Sequence, residues 1–315
     1  MTEPRQFWKP VPLSQLQAAS EGIDWVWEGI LARRRITLLS AQAKAGKSTL
    51  LSLLLREMGR GGHLLGCKVG QGTAVVVTEE TADDWIIRRE HLGITDHAEA
   101  ICIPFITKPS PTDWLDLLRQ GYLDVKARKP ELIVFDTLSH LWPVQEENSN
   151  SEQQVALMPL RGMSELGPAV LLFHHSGAAG ERSRGATELE GFVDQIAHLE
   201  WENKSDPSNR QRRLTVKGRL TSSPERLQVS LNEAGDDYQV VQGNLRPIRS
   251  GIWQTLAQLL PTEAPGISIR ELQGSWPDDE DLPSEDTIWK TLTRCASKAG
   301  ARQTNDKPAR WWMAN

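Results

Sequence analysis

The stretch SAQAKAGKST, residues 40–49, decides how the rest of this chain is read. It follows the apolar run ITLLS (36–40) and opens into STLLSLLLREM (48–58). A strand, a short loop and a helix in that order make a phosphate cradle. Backbone N–H groups point inward, a helix N-terminus lies behind them, a lysine meets the β and γ phosphates, and a hydroxyl reaches magnesium. The cradle here is Ala41, Gln42, Ala43, Lys44, Ala45, Gly46, Lys47, Ser48 and Thr49, with Lys47 as the lysine and Ser48 as the hydroxyl. Gly46 lets the backbone approach the phosphates closely. Ala41 stands where such loops begin with glycine, a mild departure if that glycine mainly eases the turn after the strand. A chance lysine-bearing turn is the competing reading, and the strand–loop–helix context argues against it.

A cradle of this kind needs a second acid at the end of a buried strand. ELIVFD (131–136) supplies Asp136 after four apolar residues. Its carboxylate would hold a magnesium-bound water while Ser48 ligates the metal directly. ATP and Mg²⁺ are therefore the expected cofactors.

Working outward, apolar runs alternate with helical patterns from residue 35 to about 242. Strands are expected at 36–40, 73–78, 100–105, 132–136, 169–175 and 213–219. Helices are expected in STLLSLLLREMGR, ADDWIIRREHLG, DWLDLLRQGYLDV and SEQQVALMPLRGMSELG. Short apolar runs bounded by turn residues suit buried parallel strands, so the fold class is α/β with a mostly parallel central sheet. RLQVSLNEAGDDYQVV (226–241) reads as a hairpin. The composition changes near residue 243, where QGNLRPIRS reads as a linker. The expected units are 1–243, with 1–30 as a lead-in, and 244–315.

Composition sets broad limits. The 315 residues are 39% hydrophobic with a formal net charge of -5, enough for a real core and against a globally basic coat. Three widely spaced cysteines suggest neither a disulfide framework nor a zinc knuckle. The N-terminus lacks the apolar centre of a signal peptide, and no run is long enough to span a bilayer. A cytoplasmic location with no membrane partner is the default expectation.

Thr137, not an acid, follows Asp136. The candidate general bases come after another strand, in TAVVVTEETADDW, as Glu80 first and Glu79 second. Their alternative role is as solvated acids at the start of a helix. This placement resembles the RecA-like superfamily, in particular hexameric helicases of the RepA and DnaB type and the KaiC relatives. The resemblance covers about residues 20–242. It implies that AVLLFHH (169–175) ends in a sensor of the γ phosphate, with His175 fitting better than His174. It implies that the glycine-rich loop SGAAGERSRGATE (176–188), with Arg182 and Arg184, faces single-stranded DNA. Ala178 stands where many relatives carry a lysine.

The resemblance also implies that Lys217 and Arg219 of RRLTVKGRL reach a neighbouring subunit's nucleotide. At spacing i, i+2 both would leave one strand face. An exposed basic edge strand is the plainer reading. If the finger reading holds, each site is shared, and the expected partner is a second copy in a homo-oligomer, a hexameric ring by resemblance.

The C-terminal unit has an apolar helix pattern in GIWQTLAQLL (251–260), a capping box in SIRE (268–271), a longer helix after Ser284 and two strands around TNDKP. This order resembles a winged helix. Residues 284–315 hold six basic residues against three acidic ones, Lys290 and Arg294 among them. DNA contact through Lys290 and Arg294, a protein partner, and a plain stabilising cap all remain open. The function expected is an oligomeric ATP-hydrolysing motor on single-stranded DNA. The rivals are a KaiC-like regulatory switch acting on a protein, or an ATP-dependent DNA-binding regulator that does not unwind.

Overall fold

The computed structural model describes all residues except 1–10, 17–21, 43, 147–148, 176–185, 204–208, 221–225, 244–255, 257–258, 277–282, 300, 305–308 and 314–315. GIDWVWEGIL forms a small antiparallel hairpin, β1 (Trp25–Trp27) and β2 (Leu31–Ala32). Trp27 is buried and its indole N–H donates to Leu64 O. Next come β3 (Ile36–Ala41), helix α1 (Lys47–Arg60), a second small hairpin β4 (His63–Leu64) and β5 (Cys67–Lys68), and β6 (Ala74–Thr78). Helix α2 (Ala82–Leu92), β7 (Ala98–Cys102), α3 (Pro111–Arg128), β8 (Leu132–Asp136), α4 (Leu138–Leu141), α5 (Asn150–Ser164) and β9 (Ala169–His175) follow. Then come α6 (Ala186–Phe192), β10 (Gln195–Trp201), β11 (Gln211–Gly218), β12 (Arg226–Leu231) and β13 (Tyr238–Gly243).

Nine strands form one sheet in the order β13-β12-β11-β10-β3-β9-β8-β6-β7. From β10 to β7 every neighbouring pair is parallel, and β11–β13 add an antiparallel meander. Strands β3 and β8 are buried along their whole length, as apolar runs covered on both faces must be. Alternation splits each run between two cores. Leu132 and Val134 join the cluster containing Leu50, Leu53 and Leu54 of α1. Ile133 and Phe135 join the cluster containing Trp114 of α3 and Leu157 of α5.

The strands and helices expected between residues 36 and 219 are present; the short elements β1, β2, β4, β5, α4 and α6 were not expected, and three further differences stand out. The strand expected at 100–105 runs over Ala98–Cys102, because Ile103 takes φ 47 and Pro104 follows. β10 was not expected as a strand: His198 and Glu200 dilute its apolar run, yet it fills the gap between β3 and β11. Helix α3 starts two residues early, because Ser110 and Asp113 form a reciprocal capping box with Pro111 at the first position.

In the C-terminal region Ser268 and Glu271 make the expected capping box for helix 269–274. Ser284 Oγ accepts from Thr287 N at the start of helix 285–299. Strands β14 (Ile267–Ser268), β15 (Ala301–Gln303) and β16 (Arg310–Met313) form a small antiparallel sheet. Leu256, Leu272, Ile288, Leu292 and the buried Trp311 make its separate core. Most of the first helix expected here lies outside the described residues. No helix among the described residues is long and apolar enough to cross a membrane.

Candidate functional site

The C-terminal ends of β3, β9, β8 and β6 lie side by side, and the candidate residues collect there. Ala41 is the last residue of β3, paired with His175 on one side and Leu199 on the other. It sits inside the ladder in extended backbone, so this position asks nothing of glycine. The turn tightens later: Lys44 takes φ 62 and Gly46 φ 102. A Cβ on Gly46 would lie 2.8 Å from the Tyr238 hydroxyl, so glycine is required there by both conformation and space. Ala45 N donates to Gln42 O, while Ala45 O accepts from the buried guanidinium of Arg212 at 2.8 Å. Arg212 in turn covers the Trp201 ring. Ala43 lies outside the described residues.

Lys47 opens α1 and is largely buried. Its Nζ lies 2.7 Å from His175 Nδ1. Burial lowers the lysine's pKa, against the pull of Asp136 and Glu79. Burial and the Lys47 charge together keep His175 below its usual range. The contact is therefore a lysine N–H donating to a neutral imidazole. His174 turns inward against Trp142 instead.

Asp136 ends β8, nearly buried, with Oδ2 lacking a hydrogen-bond partner. Burial, and then the neighbouring Glu80 charge, push its pKa up to about 7, with Lys47 opposing. An orphaned buried carboxylate oxygen beside further acids suits a cation. Ser48 supplies a hydroxyl in the same cluster, donating to Glu80 Oε1 at 3.2 Å. The residues fit Mg²⁺ held by Ser48 and Asp136, with phosphate oxygens and water completing the shell. No group of three or more His, Cys, Asp or Glu among the described residues is arranged to hold a metal by itself, so the site would depend on the nucleotide's own oxygens.

The two candidate bases part company. Glu80 accepts two hydrogen bonds from Arg88, whose guanidinium lies over Trp85. Glu79 accepts from the Thr137 hydroxyl and contacts His140. Its backbone N–H also bonds Asp136 O.

Lys217 and Arg219 do not join this cluster. Gly218 pairs with Gln195, which pairs with Thr37, so they lie at the other end of β3. The separation from Gly218's level to Ala41 is roughly 13 Å along the strands. β11 ends at Gly218, so Arg219 lies just beyond the strand that carries Lys217. Arg219 turns back to the β10 start: its backbone N–H bonds Asp194 O, and its guanidinium reaches Gly191 O and Asp194. Lys217 is exposed.

Of the DNA candidates, Arg182 and Arg184 lie outside the described residues. Lys290 is exposed on helix 285–299 and pairs with Asp286. Arg294 lies on the same helix, and only its backbone is described.

Arg88, Thr137, His140, Arg212 and Tyr238 were not expected at this site. Thr137 and His140 follow Asp136 closely, so proximity was a usable signal. Arg212 and Tyr238 arrive from beyond residue 200, and nothing local marks them.

No curated protein matches the chain significantly. Among solved structures, a KaiC-like protein of the hyperthermophilic archaeon Pyrococcus horikoshii superposes with a TM-score of 0.52 at 17% identity. It covers 72% of this chain and 99% of that one, a likeness of fold alone. A family model described as AAA domain matches residues 2–181, which takes in the cradle, both candidate bases, Asp136 and His175. With that match over more than half its length, on a RecA-like core whose strand ends gather a phosphate loop and its acids, the chain belongs to the AAA domain family of P-loop ATPases.

Proposed function

We propose that the chain is an oligomeric ATP-hydrolysing motor that acts on single-stranded DNA, of the RepA-helicase type. One observation carries the oligomeric part. Arg219 is anchored toward the opposite end of the sheet from its own cradle, which supports a role at another copy's site rather than its own.

In this reading the cradle N–H groups and Lys47 bind the phosphates. Bound Mg²⁺ supplies electrostatic stabilisation to the phosphate oxygens. Glu80, close to Ser48, polarises the attacking water once Arg88 lets it go, and Glu79 is the second choice. His175 accepts from Lys47 and so registers any change at the γ phosphate. The chain then leads directly into the loop carrying Arg182 and Arg184, which supports coupling to DNA. A winged-helix-like C-terminal unit would add a DNA or protein contact through Lys290 and Arg294.

The test is ATP hydrolysis across protein concentration, with and without single-stranded DNA. A translocating motor gives activity that rises steeply with assembly and is stimulated by DNA. The bidentate hold of Arg88 on Glu80 favours a second reading, a slow KaiC-like switch with a protein partner. A flat, DNA-indifferent rate would select that reading.

A further inference from the structure

The cations around the cradle are nearly all engaged. Lys47 Nζ meets His175 Nδ1, and Arg88 gives two hydrogen bonds to Glu80. Arg212 donates to Ala45 O and covers the Trp201 ring. Against them stand the carboxyl groups of Glu79, Glu80 and Asp136, close enough to act electrostatically on one another or on Lys47. A triphosphate brings further negative charge into this cluster, and Lys47 alone faces it.

Lys44 stands apart from the engaged cations. It lies three residues before Lys47, at the crown of the same loop. Ala45 and Lys47 are buried, whereas Lys44 is exposed. Among the described residues nothing pairs with its ammonium. Its backbone is left-handed, with φ 62, a conformation that suits glycine better than lysine. Ease of the turn therefore does not account for a lysine at this position. The Arg212 bond to Ala45 O and the close approach of Gly46 to Tyr238 hold the loop from the sheet side. The charge at the crown rides on a flexible four-carbon stem above a fixed loop.

We infer that the Lys44 side chain is a second catalytic lysine of this site, closing on the γ phosphate of ATP from the solvent side. The inference rests on the reading of the cradle as a hydrolytic site and deepens it. It gives Lys44 a role beyond the loop's backbone N–H groups. Water attacks the γ phosphorus, the bond from that phosphorus to the bridging oxygen breaks, and ADP leaves with the electron pair. Charge grows on the bridging oxygen as that bond breaks, and a donor already in place stabilises it. Lys44 keeps its proton throughout. The chain thereby supplies one charge to its own nucleotide, while Arg219 is the candidate for a neighbour's.

The test uses the full chain and compares Lys44→Met, Lys44→Gln and Lys44→Arg. Calorimetric titration with a non-hydrolysable ATP analogue and with ADP, each with Mg²⁺, reads the contact without turnover. Steady-state hydrolysis reads its part in the chemistry. Both neutral variants should bind the analogue ~10-fold more weakly but ADP within ~3-fold, because the γ phosphate carries the lost contact. Their kcat should fall at least ~10-fold, and Lys44→Arg should recover most of it because the guanidinium keeps the charge. Thermal melting confirms that the variants are folded. A solvated loop charge predicts wild-type kcat and wild-type affinities, and that result in either folded neutral variant would overturn the inference. Equal weakening toward analogue and ADP, with no rescue by arginine, also overturns it and leaves Lys44 a part of the loop's shape. If the wild-type chain binds both nucleotides and hydrolyses no ATP, the hydrolytic reading falls, and the split between analogue and ADP still decides the contact.

Discussion

Helices α1 and α2 flank the same site and are held in opposite ways. Nine of the residues of α1 are buried, and Leu50, Leu53 and Leu54 lie in the larger core. No residue of α2 is buried: it rests on Trp85 and Leu92, a Thr81–Asp84 capping box and the glycine stop at Gly93. The cradle therefore sits on a helix that cannot shift without opening the core. The acids Glu79 and Glu80 sit at the start of one held by exchangeable surface bonds. Binding is assigned to the rigid side, and any rearrangement during turnover to the lighter side.

That contrast can be broken most severely at Lys47. Lys47→Ala should reduce ATP hydrolysis on the order of a thousandfold, as loss of a charge-stabilising donor does, with the melting temperature nearly unchanged. Steady-state hydrolysis beside a thermal melt checks both halves. Next in size is the packing difference itself. Leu54→Ala should cost ~2–5 kcal/mol in urea unfolding, whereas Ile87→Ala on the exposed face of α2 should stay within ~0.5 kcal/mol. Equal costs would abolish the distinction drawn between the helices.

A smaller effect is expected at Arg212, which steadies the cradle from the antiparallel side. Arg212→Met keeps the bulk over Trp201 but leaves Ala45 O without its donor, at ~1–3 kcal/mol. Calorimetric titration should show ATP affinity falling several-fold. The smallest is Ala41→Gly. Because Ala41 lies in a strand ladder, restoring the customary glycine should leave ATP affinity within about twofold and cost ~0.5–1 kcal/mol of stability. A large gain in affinity would show that the alanine does matter.

What the sequence revealed tracks contact range. Strand, loop and helix around Lys47 are consecutive, and Asp136 ends an apolar run, so both were visible in local pattern. β10 was not, because polar residues on its half-buried positions hide an edge-to-centre strand. Arg212 and Tyr238 meet the cradle through the sheet's antiparallel extension, and no short-range periodicity encodes that meeting. Glu80 was found as an acid, but its engagement with Arg88 depends on how α2 is set down.

Asp194 joins elements far apart in the chain. Its backbone N–H bonds Ile36 O, one carboxylate oxygen takes both the Ile36 N–H and the Arg161 guanidinium, and its own carbonyl holds Arg219 N. Ile36 begins the strand that ends in the cradle. A pull on Arg219 is thus delivered into the tail of β3 and carried lengthwise along a fully hydrogen-bonded rod. Asp194 is the rivet through which tension at one end of the molecule arrives, undamped by any loop, at the other.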